Sequence, residues 1–221
     1  EKLIAVKNLN FQIKENEIVS IIGPSGCGKT STLNAIAGFI KPFKGKISSS
    51  SDIGIVFQKF NLFFWKTVFE NVALGLRNKK LDKTTANEIV NSLISEVGLK
   101  GFENNYPEEL SVGMQQRVAL ARAFAAKPKL LLMDEPFGSL DYLNKIKMQQ
   151  LLLKIWQKNK ATVVFVTHDV DEAIMLSDRV LLMKNKKIQN EYLIPFSRPR
   201  NSEIRYDKSF QELKKSIHAT Y

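Results

Sequence analysis

The stretch Gly23-Pro24-Ser25-Gly26-Cys27-Gly28-Lys29-Thr30 decides the fold of this 221-residue chain. It matches the pattern G-x-x-x-x-G-K-[ST] without a mismatch, between a β-rich run at 17–22 and a helical pattern at 30–39. Glycines let backbone N–H groups curl around phosphate oxygens, and the N-terminus of the following helix adds a favourable partial positive charge. A strand, a phosphate loop and a helix in this order predict an α/β nucleotide-binding core.

Two side chains of this loop have specific expected roles. Lys29 would reach the β- and γ-phosphates of a nucleotide, and the Thr30 hydroxyl would hold Mg²⁺. The neighbouring residues of the same segment are also predicted to bind the nucleotide: Gly23, Pro24, Ser25, Gly26, Cys27, Gly28 and Ser31. Cys27 is the single cysteine, so the chain has no internal disulfide framework, and a reducing compartment is expected.

A second chemical signal follows an apolar run, in Leu130-Leu131-Leu132-Met133-Asp134-Glu135-Pro136. The run is typical of a strand buried on both faces, and ligands of open α/β sheets bind at the carboxyl ends of strands. Asp134 suits Mg²⁺ coordination. Glu135, which points in another direction, suits the general base that activates the attacking water.

Elsewhere the sequence alternates strand-like and helix-like segments, which predicts α/β architecture with a mainly parallel sheet. Asp82 is a plausible N-cap for one of the helices. The predicted strands lie at 3–13, in short pieces of 44–57 interrupted by the serine run 48–51, at 130–133 and at 162–166. The predicted helices lie at 82–97, at 112–126 and in the tail at 206–219.

The composition suits a globular protein, with 44% hydrophobic and 25% charged residues. No apolar run approaches the roughly 18–20 residues that span a bilayer, so a cytosolic subunit is expected. A net charge of +11 is compatible with nucleic acid, with an anionic membrane surface or with a plain solvated surface. The basic residues form no Arg-rich, aromatic-laced strip of the kind that binds single strands.

Four further motifs narrow the class of nucleotide-binding protein. Leu110-Ser111-Val112-Gly113-Met114-Gln115 resembles the signature motif of ATP-binding cassette (ABC) proteins, usually written L-S-G-G-Q. In chain order, Gln58 resembles the Q-loop residue, Ser139-Leu140-Asp141 the D-loop, and His168 the switch histidine. The resemblance covers nearly the whole chain. It implies an ABC ATPase fold, with a nucleotide-binding core, an antiparallel β lobe and a helical signature lobe.

The resemblance also implies a mechanism with ATP and Mg²⁺. Glu135, His168, Gln58 and Lys29 would be the catalytic residues, and Thr30, Gln58 and Asp134 would hold the metal. Two copies would pack head to tail. Ser111, Gly113 and Asp141 of one copy would then complete the nucleotide site of the other.

A closer resemblance is to the ATPases of nitrate, sulfonate and taurine importers. Three segments carry it, and the Arg198-Pro199-Arg200 tail is similar as well: Phe63-Phe64-Trp65-Lys66-Thr67-Val68-Phe69-Glu70-Asn71-Val72, Asp134-Glu135-Pro136-Phe137-Gly138-Ser139-Leu140-Asp141 and Thr167-His168-Asp169-Val170-Asp171-Glu172-Ala173. Such subunits work at the cytoplasmic face of the membrane with two permeases and, indirectly, a solute-binding protein. The aromatic cluster at 63–65 suits a permease-binding groove, and the alternative is that it belongs to the core.

The domain expected from this resemblance is a single nucleotide-binding domain over 1–221. It would contain a helical subdomain at about 61–127 and a C-terminal tail at about 190–221. One departure from the family pattern is Val112, which replaces the first glycine of the signature and leaves open whether its side chain crowds the phosphate.

An alternative function is a soluble ABC-type ATPase acting on nucleic acid or ribosomes. Such proteins usually carry a long coiled-coil insertion or two fused cassettes, and this sequence has neither, so no nucleic acid partner is expected. A small-molecule kinase is excluded by the signature and the switch histidine. The transported solute cannot be read from this chain, because permease and binding protein select it.

Overall fold

The computed structural model describes residues 4–221. The chain forms two compact units, of which the first comprises Glu1–Ser51, Leu132–Pro136 and Thr162–Tyr221. The second comprises Asp52–Leu131 and Phe137–Ala161. The described strands are β1 (Ile18–Ile22), β2 (Ile53–Val56), β3 (Leu130–Asp134), β4 (Thr162–Val166), β5 (Arg179–Lys184) and β6 (Lys187–Leu193). The α-helices are α1 (Lys29–Ile36), α2 (Val68–Ala73), α3 (Lys83–Glu96), α4 (Val112–Ala125), α5 (Tyr142–Asn159), α6 (Val170–Leu176) and α7 (Lys208–Thr220).

The sheet of the first unit positions the phosphate loop. Only the last residues of β3 belong to this unit. Beginning with them, the strand order is β3-β4-β1-β5-β6. β1 pairs in parallel with β4 on one side and with β5 on the other, and all five of its residues are buried. A strand enclosed on both edges and both faces is expected to be mainly apolar, which explains four of the five residues of β1; the exception is the buried Ser20. The loop that follows β1 therefore starts from a rigid base.

β5 and β6 form the antiparallel edge of this sheet. Their two-residue turn, Asn185-Lys186, has positive φ at both positions (52° and 64°). This conformation matches the twist of a hairpin, and asparagine tolerates it well. Helix α7 covers the same unit, with Phe210 and Ile217 fully buried.

Helix α4 is the centre of the second unit, where it contacts α2, α3 and β2. The short 3-10 helix Leu74–Leu76 approaches α4 so closely that a Cβ on Gly75 would lie 2.2 Å from the carbonyl oxygen of Arg122. Glycine is required there because it lets the two backbones touch. β2 lies beside the start of β3 in this unit.

The expected fold class is confirmed: the architecture is α/β, with a mainly parallel sheet, an antiparallel pair and helices. Asp82 is the N-cap of α3, since its side chain accepts a hydrogen bond from the Thr85 N–H at 2.9 Å. α4 ends with Ala126 as its C-cap. The division into one domain with a helical subdomain at about 61–127 and a tail at about 190–221 stays a prediction.

One strand prediction is wrong, and another is right only in part. Leu3 lies outside the described residues, and 4–13 form no strand. The Lys7 N–H donates to the Lys186 carbonyl at 2.9 Å, but no ladder continues from this contact. In 44–57 only Ile53–Val56 is a strand. Gly45 has φ +90°, a left-handed conformation that interrupts an extended backbone. Alternation of apolar and polar residues, as in 3–13, favours a strand, but a strand also needs a neighbouring strand to pair with.

None of the helices within 4–221 is both long and apolar enough to cross a bilayer.

Candidate nucleotide-binding site

The phosphate loop connects the end of β1 to the start of α1, and two of its glycines are fixed by geometry. A Cβ on Gly23 would lie 2.0 Å from the carbonyl oxygen of Met183, so only hydrogen fits. Gly28 is the N-cap of α1 in a left-handed conformation (φ 108°), which side chains avoid. The loop thus turns sharply and presents the N-terminus of an eight-residue helix, a favourable place for anions.

Lys29 places its charge inside this turn. Its ammonium donates to the Gly23 carbonyl at 2.7 Å and to the Pro24 carbonyl at 3.0 Å, and the residue is buried. Ser25 and Gly26 at the tip are exposed, whereas Cys27 is buried with a free thiol. The cysteine therefore packs within the loop, as expected of a small residue there.

Thr30 and Asp134 meet at the carboxyl end of the sheet. The Thr30 hydroxyl donates to Asp134 Oδ1 at 3.1 Å. Burial raises the pKa of Asp134, while the Thr30 hydrogen bond and the Lys29 charge act in the opposite direction. No group of three or more His, Cys, Asp or Glu side chains among residues 4–221 could hold a metal. A hydroxyl and one carboxylate do fit Mg²⁺, which takes few protein ligands and completes its shell with phosphates and water.

Glu135 has an unusual backbone conformation, with φ +44°, and its N–H donates to the Val166 carbonyl at 3.0 Å. Left-handed backbone at a residue other than glycine is costly and is concentrated at functional sites. It turns the carboxylate so that Oε2 lies 3.5 Å from Nδ1 of His168. Glu135, after β3, and His168, after β4, were both predicted to be catalytic, and the structure places them side by side.

A buried hydrogen-bond chain holds the segment that carries His168. The Thr167 hydroxyl donates to Glu172 at 2.5 Å and accepts from the Asp169 N–H at 3.0 Å. The Asp169 side chain caps α6 by accepting from the N–H groups of Asp171 and Glu172. His168 itself is exposed. Its neighbours fix its backbone, so its ring is presented rather than buried.

The remaining predicted site residues belong to the second unit. Gln58 is exposed, two residues after β2 ends. Ser111 is the N-cap of α4, accepting from the Met114 N–H at 3.3 Å, and Gly113 lies in the first turn of that helix. Asp141 is the N-cap of α5, and hydrogen bonds from the backbone and side chain of Asn144 lower its pKa. A Cβ on Gly113 would lie 3.9 Å from Leu140, so these two helix starts are adjacent.

The aromatic cluster at 63–65 is not core: Phe63, Phe64 and Trp65 are 39%, 58% and 72% exposed. The rings of Phe63 and Trp65 pack edge to face, 5.2 Å apart. Their loop is held by Asn71, which is fully buried. The Asn71 amide donates to the carbonyls of Phe63, Lys66 and Thr67. The loop therefore presents its aromatic rings on a fixed backbone.

Sequence reasoning assigned no role to two features that the structure shows. Arg198 and Arg200 donate hydrogen bonds to the end of α6. In the sequence, their motif indicates only a similarity to importer ATPases. Burial raises the pKa of Tyr221, which a hydrogen bond with the Gly23 backbone opposes, and this places its phenol at the phosphate loop. No periodicity or motif pointed to that tyrosine.

Comparisons with known proteins agree with this geometry. The family described as "ABC transporter" matches residues 6–138. The taurine import ATP-binding protein TauB of Pelagibacter ubique is 43% identical, over 98% of this chain and 83% of that protein. The aliphatic sulfonates import ATP-binding protein SsuB of Bacillus cereus is also 43% identical, over 96% of this chain and 86% of that protein.

A solved structure, the dimeric post-hydrolysis state of the ATP-binding cassette MJ0796 bound to ADP and Pi, has a TM-score of 0.75 and 36% identity. The match covers 87% of this chain and 92% of that chain. The family, the relatives and the solved structure all agree with the motifs of this chain. These motifs are the phosphate loop, the carboxylates at the end of β3 and the signature-like sequence at the start of α4. The chain belongs to the ABC transporter family as one of its ATP-binding ATPases.

Proposed function

We propose that this chain is the ATP-hydrolysing subunit of a bacterial ABC importer for a small anion or organic solute such as nitrate, a sulfonate or taurine. The observation that carries the ATPase site is the convergence of the phosphate loop, Asp134, Glu135 and His168 at one edge of the first unit's sheet. The choice of solute class is supported by the names of the relatives.

The residues of the first unit divide the chemistry among them. Lys29 and the N–H groups at the start of α1 bind the β- and γ-phosphates, because they bring positive charge to one turn. Thr30 and Asp134 would hold Mg²⁺, which would neutralise charge on the transferred phosphoryl group. Glu135 takes a proton from the attacking water, and His168, beside it, contacts the γ-phosphate.

The second unit supplies its groups to another copy of the chain. Ser111 and the Gly113 N–H lie at the start of a 14-residue helix, whose partial positive charge suits the γ-phosphate bound by a partner copy. Asp141 begins the neighbouring helix and would reach across the same interface. The dimeric cassette with ADP and Pi supports this arrangement.

The exposed aromatic loop is the surface we assign to the permeases. The assignment is supported by the exposure of these large apolar rings, which lie on a backbone that the buried Asn71 holds in place. Aromatic anchors of this kind dominate protein interfaces. Two permease subunits at the cytoplasmic face of the membrane would each engage one loop, and the solute-binding protein would act through them.

Co-purification with the permeases, followed by ATPase assays with the binding protein and candidate solutes, tests the proposal. We expect Trp65→Ala to lose the permease while keeping the basal ATPase of the isolated chain. Phe102→Ala, which removes another partly exposed ring of the same unit, is the matched control. Retention of Trp65→Ala on the permease, or ATPase stimulated by nucleic acid instead of permease, would contradict the importer assignment.

A further inference from the structure

Arg200 forms a buried cluster at the carboxyl end of α6. One of its nitrogens, Nη1, donates to the carbonyls of Ile174 and Ser177, each at 2.6 Å. Its Nε and Nη2 donate to the carbonyl of Phe196 at 2.9 and 2.7 Å. One planar guanidinium thus joins the end of α6 to the chain segment that follows β6.

Arg198 extends the cluster toward β1. It donates through Nη2 to the Leu176 carbonyl and through Nη1 to Asp178, both at 2.6 Å. Asp178 is in turn bonded twice to Ile18: its carboxylate accepts from the Ile18 N–H at 2.9 Å, and its own N–H donates to the Ile18 carbonyl at 2.7 Å. Arg198 therefore ties the start of β1, the strand that leads into the phosphate loop, to the end of α6, which Arg200 holds as well.

Burying this charge has a cost, because desolvation disfavours a cation. Burial lowers the pKa of Arg200 to about 10. The last carbonyl groups of a helix have no partner within the helix, and the helix dipole favours a cation there. At seven residues, α6 is also too short to be stable by itself. The arginines therefore supply partners for the carbonyl groups at the end of α6 and fix that end of the helix.

The other end of α6 carries His168. Asp169 is the N-cap of the helix, so the histidine lies directly before the cap of a helix about 10 Å long. We propose that Arg198 and Arg200 are positioning residues that set the place of His168 beside Glu135 by clamping the far end of α6. This inference rests on the proposed role of His168 at the γ-phosphate. The hydrogen bonds that carry it run to backbone carbonyls and to Asp178, which pairs with Ile18 at the end of β1 opposite to the phosphate loop.

The test combines turnover with a direct view of the histidine, using the full chain. The chain has two histidines, His168 and His218, so imidazole ¹H–¹⁵N spectra contain two sets of signals, assigned with His218→Gln. We expect Arg200→Lys, which keeps the charge but loses the fork of donors, to shift the His168 signals. Its kcat should fall roughly 10- to 100-fold with KM for ATP unchanged within about twofold. Arg198→Lys should act in the same direction, less strongly.

Arg77→Lys, at an exposed arginine of the second unit, is the control for the substitution itself. Circular dichroism and nucleotide binding confirm that each variant is folded. If Arg200→Lys and Arg198→Lys leave the His168 signals in place, the positioning inference is overturned, whatever the turnover. His168→Ala separates the two ideas: wild-type turnover in that variant would defeat the proposed role of His168, while the spectra would still decide whether the arginines position it.

Discussion

The two compact units present their candidate functional groups in opposite ways. In the first unit, Lys29, Thr30 and Asp134 are bonded to the loop or to each other, and Glu135 lies against His168. In the second, Ser111 and Asp141 are exposed caps at adjacent helix starts, and aromatic rings lie on the surface. The difference supports the proposal that the first unit binds a nucleotide whereas the second contacts other molecules.

The largest effect is expected from Ser111→Arg, which changes a residue of the second unit and leaves the first unit unaltered. A guanidinium at the start of α4 would occupy the space of a partner's γ-phosphate, so turnover should fall below detection while nucleotide still binds to the first unit. Steady-state ATPase and equilibrium binding of a labelled nucleotide measure the two separately.

Ser111→Ala is the control, since it removes the N-cap without adding bulk and should cost about 1 kcal/mol of stability. Normal hydrolysis by Ser111→Arg, with a normal dependence on protein concentration, would show that the second unit does not act on a partner's nucleotide.

Next in size is Glu135→Gln, which tests the chemistry of the first unit. The amide keeps the shape but cannot take the proton, so kcat should fall by about 10²–10⁴-fold with ATP affinity retained. The variant should also accumulate an ATP-bound dimer, visible by size-exclusion chromatography. Near wild-type turnover would remove Glu135 from the role of general base.

A smaller effect concerns Asp134 and pH. Because burial raises the pKa of Asp134, its carboxylate is protonated at a higher pH than an ordinary aspartate, whose pKa is about 3.9. The Mg²⁺ concentration for half-maximal nucleotide binding should therefore rise as pH falls toward that raised pKa, by up to about tenfold per pH unit below it. The difference between wild type and Asp134→Asn isolates this carboxyl from the nucleotide's own titration. The same pH dependence in both proteins would argue against Asp134 as a metal ligand.

The smallest effect is expected from Val112→Gly, which restores the usual signature sequence. Val112, in the first turn of α4, is 48% exposed. If it does not crowd the phosphate, turnover should stay within about twofold, and the helix should lose roughly 0.3–0.5 kcal/mol, measured by urea unfolding. A clear rise in both dimerisation and turnover would show instead that valine narrows the space between the two copies.

Much of the fold and of the site could be predicted from local patterns. The phosphate loop, β4, α3 with its Asp82 cap and α4 all formed where periodicity and capping residues indicated. These elements depend on interactions between residues close in sequence, which a pattern records directly. The strands expected at 4–13 and 44–47 did not form, since a strand is stabilised by a partner that its own sequence does not specify.

What the sequence by itself determined is the chemistry: a phosphate loop, two carboxylates after a buried strand, and a histidine after another. What only the tertiary structure decided is their juxtaposition. The 3.1 Å contact of Thr30 with Asp134 and the left-handed backbone of Glu135 beside His168 join residues from separate strands. The clamp of Arg198 and Arg200 on α6 spans more than twenty positions. Such contacts arise because packing of the sheet and its helices brings distant segments together, and a linear pattern of residue types does not contain that information.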